Sequence, residues 1–110
     1  MRESSLKRLR TFCVAARRLS FKAAADELCV TPSAVSHQIR SLQQQLQAKL
    51  FMRRPAHAVS LTDLGADLLA RVDPLLVELD DVVACFKHRA RAAHAGVAAR
   101  HRLPYVQTEA

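Results

Sequence analysis

The fold is decided by one stretch of the sequence, Leu28-Cys29-Val30-Thr31-Pro32-Ser33-Ala34-Val35-Ser36-His37-Gln38-Ile39. It contains the end of one helix, a short turn and the start of a second helix. Thr31 is a good N-cap because its hydroxyl can accept a backbone N–H. Pro32 suits the first helical position because the N–H it lacks would have no helical partner there. Two helices joined by Cys29-Val30-Thr31 form a candidate helix-turn-helix.

The second of these helices is expected over residues 32–46. Val35, Ile39, Leu42 and Leu46 recur at i, i+4, i+7 and i+11 and predict one buried stripe. Leu28 and Val30 join Val35 and Ile39 as the apolar residues expected to fix the crossing of the two helices.

The opposite face of this helix is polar. In helix-turn-helix proteins the second helix enters the major groove, with its N-terminal residues nearest the base edges. The candidates for base-edge contacts are Pro32, Ser33, Ser36, His37 and Arg40. Two alternatives stay open, because Ser36 could merely be solvated and Arg40 could pair with a nearby acid.

Two further helices precede this one. Leu6, Leu9, Phe12, Cys13 and Ala16 recur at helical spacing and predict a first helix over residues 5–18. Ser20 is then the expected N-cap of a short second helix, residues 21–28, whose alanines at 23–25 allow close packing.

A small β-hairpin, or wing, is expected next. The apolar-bearing runs 50–54 and 59–61 flank a turn that contains Pro55. Leu50, Phe51 and Leu61 would pack on the helices, which leaves Arg53 and Arg54 beside a duplex. His57 is interpreted as a surface residue at the tip.

Thr62 and Asp63 begin a long helix that is expected to reach about residue 89, with a bend at Pro74. Its wide apolar stripe predicts pairing with a second copy of the chain, although packing against its own domain is the alternative. The residues predicted for dimerisation are Leu68, Leu69, Val72, Leu75, Leu76, Leu79, Val82, Val83 and Phe86. The predicted organisation is a winged helix-turn-helix at 1–61, a dimerisation helix at 62–90 and a frayed or disordered tail at 91–110.

Charge is concentrated in the first half of the chain. The net charge is +7, and residues 1–60 carry 11 Lys or Arg side chains against three acids, a balance of +8. A basic face of this kind suits phosphate binding, although a solvated surface would also explain it. With one tyrosine and no tryptophan, base stacking on aromatic side chains has little to use.

The remaining patterns argue against other functional classes. Asp80 and Asp81 are adjacent and point to different helix faces, and no Gly-rich phosphate loop is present, so no catalytic site or cofactor is expected. Cys85 and His88 have the spacing of half a metal site but lack a second pair, so no metal is expected. The three cysteines are interpreted as buried free thiols. No apolar run is long enough for a membrane span and no signal peptide is evident, so a cytoplasmic location is expected.

Over residues 6–90 the chain resembles the N-terminal part of the LysR-type transcriptional regulators. The likeness is carried by Leu19-Ser20-Phe21, by the stretch from Leu28 to Ile39, by Leu50-Phe51-Met52-Arg53 and by Leu61-Thr62-Asp63-Leu64-Gly65. The 31–39 string is similar to the branch that includes glycine-cleavage and β-lactamase regulators.

The resemblance implies a mainly α fold, with a winged helix-turn-helix of three helices and a short hairpin, followed by a helix that dimerises. It implies phosphate contacts at Ser20 and Arg53, and a place at the groove for Pro32, Ser33, Ser36 and His37. Gln43 stands where the family usually has Glu, and Gln47-Ala48 where it usually has Gly. The family's effector-binding domain has no counterpart in these residues, so no small-molecule effector site is expected.

The expected function is sequence-specific binding of double-stranded DNA by a homodimer on an inverted repeat, in transcription regulation. The alternative is an interaction module that pairs with a full-length regulator through the 62–90 helix. The target site, the direction of regulation and the oligomeric state beyond a dimer are left open.

Overall fold

The computed structural model describes residues 3–56 and 58–96. Four helices and one hairpin follow each other along the chain. They are α1 (Glu3–Arg18), α2 (Phe21–Leu28), α3 (Pro32–Leu46), β1 (Phe51–Arg53), β2 (Val59–Leu61) and α4 (Asp63–Gly96). The mainly α winged helix-turn-helix class is therefore confirmed. Helix α4 runs farther than its predicted end near residue 89, and the tail from residue 97 onward lies outside the described residues.

The helices begin where the capping residues predict. The Ser20 hydroxyl accepts the Ala23 N–H at 3.1 Å, and the Thr31 hydroxyl accepts the Ala34 N–H at 3.1 Å. Thr62 caps α4 in the same way, with Gly65 as the donor at 3.0 Å. Each hydroxyl gives a partner to a backbone donor that a helix start otherwise leaves without one.

The residues that follow α2 and α3 both have the left-handed backbone conformation, and neither of them is a glycine. Cys29 follows α2 with φ of 59°, and Gln47 follows α3 with φ of 54°. A residue with a Cβ pays a steric cost in this region, which is why glycine usually fills it. Gln47 nevertheless makes the cap, and the hairpin that follows is formed.

The core lies between the three short helices and the hairpin. Its largest fully buried side chains include Phe12, Leu42, Leu50 and Val35. Phe51 connects the hairpin to the helices, since its ring centroid lies 5.5 Å from that of Phe12. Ala24 and Ala25 are fully buried, as expected of small residues where helices pack closely.

Several burial predictions are wrong. Val30 and Leu46 were expected to be buried but are 40% and 42% exposed. Val30 lies in the turn between α2 and α3, and Leu46 is the last residue of α3, so neither lies in the middle of a packed helix. Of the three cysteines, only Cys13 is buried, whereas Cys29 and Cys85 are exposed on a helix cap and on α4.

The hairpin is antiparallel and pairs Phe51 with Leu61, Met52 with Ser60 and Arg53 with Val59. One backbone hydrogen bond ties it to the turn between α1 and α2, and another closes its open end. The Val59 N–H donates to the Leu19 carbonyl at 3.2 Å, and Thr62 N–H donates to the Leu50 carbonyl at 3.0 Å.

The chain divides into two compact units, one ending at Leu76 and the other beginning at Val77, and α4 contributes to both. The first contains the helix-turn-helix, the hairpin and the start of α4. Within it Leu76 is buried, and Leu68, Leu69 and Val72 pack against the core.

Candidate nucleic-acid interface

Helix α3 turns its apolar stripe inward and its polar face outward. Val35, Ile39 and Leu42 are at most 2% exposed. All five predicted base-edge residues lie on the surface of the same helix: Pro32, Ser33, His37 and Arg40 are exposed and Ser36 is half-buried. The face is therefore accessible along most of its length.

The three predicted phosphate contacts lie at the start of α2 and on the hairpin. Ser20 forms a β-bridge with Ala58, which brings the N-terminus of α2 to the turn end of the hairpin. Arg53 is exposed at the end of β1. Arg54 is exposed as well, and its Nε donates to Ser60 Oγ at 3.0 Å, which holds the guanidinium against the outer strand.

Three connected clefts run along the side of α3 that faces the hairpin. The first is lined by Lys22, Pro32, Ser33, Ser36 and Arg53 among others. The second shares Ser36 and Arg53 with the first and continues over Arg40, Gln43 and Lys49. The third shares Arg40, Gln43 and Lys49 and ends at Gln44 and Gln47. We call this run of clefts the α3 groove.

The α3 groove brings four of the predicted residues to its first end and adds residues that sequence reasoning missed. Pro32, Ser33, Ser36 and Arg53 line one cleft, whereas His37 and Arg54 are not among its lining residues. Lys22 and Lys49 were missed because Lys22 lies in the short second helix, which was given only a packing role, and Lys49 lies in the connection between α3 and the hairpin. Their signal was positional, since Lys22 follows the Ser20 cap and Lys49 directly precedes the hairpin.

Gln43 was noted only as a departure from the family pattern, but it joins α3 to the hairpin. Its Oε1 accepts the Leu50 N–H at 2.8 Å and the Phe51 N–H at 3.3 Å. These two backbone donors have no strand partner at the entry to β1, so the side chain supplies the missing acceptor. The spacing between the recognition face and the wing therefore depends on this amide.

The cations of the α3 groove differ in their surroundings from the paired cations of the chain. Ion pairs among the described residues join Arg17 to Asp73, Arg18 to Glu27 and Arg71 to Asp67. None of these pairs involves Arg40, so the alternative of a pairing with a nearby acid is not observed for it in the described part of the chain.

One titratable group of the core is strongly perturbed. Burial, with the neighbouring Asp73 carboxylate adding to it, raises the pKa of the Cys13 thiol from 9.0 to about 11. Cys13 lies in the core, away from the polar face of α3, so it has no part in the interface.

The residues predicted for dimerisation fall into two groups. Leu76 is buried, and Leu68, Leu69 and Val72 are half-buried and pack against the core of the first unit. The others are exposed: Leu75, Leu79, Val82, Val83 and Phe86. Phe86 is the most exposed of these, at 68%.

The described residues provide neither a metal-binding cluster nor a helix that could span a membrane. Over residues 3–56 and 58–96, no group of three or more His, Cys, Asp or Glu side chains could hold a metal ion. Within that same part of the chain, no helix is both long and apolar enough to cross a membrane.

Residues 6–66 match the model of the family described as bacterial regulatory helix-turn-helix protein, lysR family. The chain belongs to the LysR family. The match spans α1 to the first turn of α4, and it includes every residue predicted to touch DNA. The family assignment predicted from the sequence is confirmed.

Relatives and solved structures agree with this family. The transcriptional activator AmpR of Pseudomonas aeruginosa is 44% identical over 89 residues, which cover 81% of this chain and 28% of the relative. The glycine cleavage system transcriptional activator of Escherichia coli is 44% identical over 88 residues, 80% of this chain and 28% of the relative. The chain thus spans little more than a quarter of the length of these relatives.

Among solved structures, the DNA-binding domain of BenM in complex with its catB site 1 DNA has a TM-score of 0.70 and 32% identity. The match covers 77% of this chain and 93% of that domain. BenM bound to benA site 1 DNA also has a TM-score of 0.70, with 31% identity over 80% of this chain and 98% of that one. In sequence and fold the chain therefore corresponds to the DNA-binding part of LysR-family proteins, as the sequence predicts, and the named relatives are transcription regulators and not enzymes.

Proposed function

We propose that the chain binds double-stranded DNA as a two-fold dimer, with one α3 helix of each copy in the major groove of one half of an inverted repeat. The observation that carries the proposal is the exposed polar face of α3 beside a basic hairpin, in a chain whose structural neighbours are DNA-bound domains. The proposed DNA-binding region is residues 1–61, and residues 62–90 are the proposed dimerisation helix.

Base recognition is assigned to α3. A B-DNA major groove about 12 Å wide admits an α-helix, and side chains on the outer face can then reach the base edges. Ser33, Ser36, His37 and Arg40 supply hydroxyl, imidazole and guanidinium groups there, and Pro32 supplies an apolar contact. Each good pair with a base edge is worth about 1–3 kcal/mol of discrimination.

Positioning on the duplex is assigned to Ser20, Arg53 and Arg54. Ser20 lies at the start of α2, where the helix dipole and backbone N–H groups favour an anion. Arg53 and Arg54 carry fixed positive charge on the hairpin and would hold phosphates beside α3. Such contacts set register and affinity but read no sequence.

Dimerisation is assigned to the exposed apolar residues of α4, and chiefly to those in the second compact unit of the chain, which begins at Val77. Leu79, Val82 and Phe86 recur at spacings of three and four residues, as in a helix that packs against another helix. With Val83 they form an exposed apolar stripe along one side of α4. A second copy of the chain is the occupant we propose, since two recognition helices match the two halves of an inverted repeat.

The test of recognition is a selection of bound sequences from random DNA, followed by Kd measurements on selected and scrambled duplexes. Wild-type protein should enrich an inverted repeat. His37→Ala removes one contact from each half-site, so it should lower the ratio of the two affinities about 30-fold or more, the equivalent of about 2–6 kcal/mol for the dimer. His88→Ala, which removes an exposed histidine on α4, is the matched control and should leave the ratio unchanged. Equal preference in wild type and His37→Ala would refute the place given to His37.

The test of dimerisation is sedimentation of Phe86→Glu beside Val77→Glu. Both replace an exposed apolar residue of α4 by the same acid, but Val77 lies off the proposed stripe. Phe86→Glu should be monomeric and should lose preference for the inverted repeat over a single half-site. If both variants remain dimers, the stripe is not the interface.

A further inference from the structure

The α3 groove lies where a DNA backbone would pass if the proposed function holds. A helix in the major groove and a hairpin beside it leave one phosphate strand running between them, because a strand separates each major groove from the next minor groove. We propose that Lys22 and Lys49 bind phosphates of that strand at the two ends of the α3 groove. This rests on the proposed function and adds two contacts that neither motif nor cap pattern indicated.

The groove has the length that this proposal needs. It runs beside α3 from Ser33 to Gln47, a distance on the order of 20 Å at 1.5 Å per helical residue. One DNA strand places a phosphate about every 3.4 Å of helix axis, so several consecutive phosphates fit along it. Lys22 lines the first cleft and Lys49 lines the second and third, so the two lysines are spread along this length.

The charge of the groove suits an anionic strand. Its three described clefts are lined by four cations, Lys22, Arg40, Lys49 and Arg53, and by no carboxylate. Gln43 also lines it, and its neutral amide oxygen accepts the backbone N–H groups of Leu50 and Phe51. The connection between helix and hairpin is therefore made without placing a negative charge under the proposed strand.

Both lysines are available and both are anchored at their backbones. Their side chains are exposed, and the ion pairs found among residues 3–56 and 58–96 involve neither of them. Lys22 lies in the first turn of α2, directly behind the Ser20 cap. The carbonyl of Lys49 accepts the Thr62 hydroxyl, and its neighbour Leu50 is held by Gln43. A fixed backbone with an unpaired terminal ammonium is what a phosphate contact requires.

The experiment measures Kd against salt for wild type, Lys22→Gln and Lys49→Gln on the selected inverted repeat and on a scrambled duplex. Lys7→Gln is the matched control, since Lys7 is an exposed lysine of α1 outside the groove lining. Each phosphate contact contributes about 0.9 to the slope of log K against log salt, so a dimer that loses two should have a slope smaller by about 1.8. Between 50 and 200 mM salt the ratio of variant to wild-type Kd should then fall about 12-fold.

The expected loss is equal on both duplexes, and Lys22→Arg and Lys49→Arg should keep the wild-type slope because they keep the charge. A slope indistinguishable from that of Lys7→Gln overturns the assignment of the lysine concerned. A loss confined to the selected sequence also overturns it, since that result would make the residue a base contact. If wild type itself showed no steep salt dependence and no sequence preference, the proposed function would fail, and this inference with it.

Discussion

Replacing Gly65 tests how closely α4 approaches Leu50, because the sign of the change in the free energy of unfolding decides between a close and a loose approach. Gly65 lies in the first turn of α4 and is buried against the residue that precedes the hairpin. A Cβ at this position would meet the Leu50 carbonyl oxygen at 2.2 Å and Leu61 Cδ2 at 3.0 Å. The first distance is far inside a van der Waals contact, and the atom it involves is backbone.

The perturbation is Gly65→Ala. In an open helical position this change would stabilise the protein by about 1 kcal/mol, because alanine is the better helix former. Here the Leu50 carbonyl must move, although it accepts the Thr62 N–H and its residue is held by Gln43. Overpacking of this kind costs about 1–3 kcal/mol, and weakening the Thr62 hydrogen bond costs about 1 kcal/mol more. The net expectation is a destabilisation of about 1–3 kcal/mol.

The assay is urea unfolding followed by circular dichroism at a fixed protein concentration, since a dimer's stability depends on concentration. The midpoint should fall, and the melting temperature should fall by roughly 4–8 °C for each kcal/mol. Ala66→Gly, at an exposed neighbouring position, measures the propensity term alone and should cost about 1 kcal/mol. A Gly65→Ala protein more stable than wild type would refute the close approach between α4 and Leu50.

Three further predictions concern the helix cap and the thiols. Gln47→Gly should raise the free energy of unfolding by about 1 kcal/mol, because Gln47 has φ of 54°, and an unchanged urea midpoint would show that no strain is relieved. The raised pKa of the Cys13 thiol, about 11 against 9.0, means that its contribution to stability is complete below pH 9 and is lost as pH rises toward 11. Stability should therefore decrease more steeply over that range in wild type than in Cys13→Ala, and parallel curves would contradict the burial of the thiol. At pH 8 a thiol reagent should modify Cys29 rapidly and Cys13 only on unfolding, and equal rates would show that Cys13 is accessible.

The helices and the hairpin could be predicted because their signals are local. The three predicted N-caps each cap a helix in the structure: Ser20, Thr31 and Thr62. The predicted apolar stripe is the buried face of α3, with Val35, Ile39 and Leu42. A cap or a stripe depends on residues within one or two turns of each other, so one sequence contains the whole signal.

What the sequence could not predict depends on tertiary neighbours. Leu46 fits the apolar stripe of α3 but is 42% exposed, because it is the last residue of that helix and lies beside the turn that follows. Leu76 and Phe86 belong to one apolar pattern along α4, yet one is 8% and the other 68% exposed. Periodicity records which face is apolar but not what covers it.

The candidate interface also has one part that local sequence signals predict and one part that depends on tertiary neighbours. The exposed face of α3 could be predicted because it is the complement of the buried stripe. The α3 groove could not, since it forms only when the start of α2 and residues 49–53 come to lie beside α3, which brings Lys22 and Lys49 to the same surface as Arg53. The bridging role of Gln43 depends on the position of Leu50 and Phe51 in the same way.

The entry of α3 into the major groove is tested most directly by dimethyl sulfate footprinting on the selected DNA, because this reagent methylates guanine N7 in that groove. Wild-type protein should protect two groups of guanines whose centres lie one helical turn of about 10 base pairs, or a multiple of it, apart on one side of the duplex. Phe86→Glu should lose this paired protection. Full reactivity of every guanine N7 in a saturated complex would contradict the account, since α3 would then lie outside the major groove.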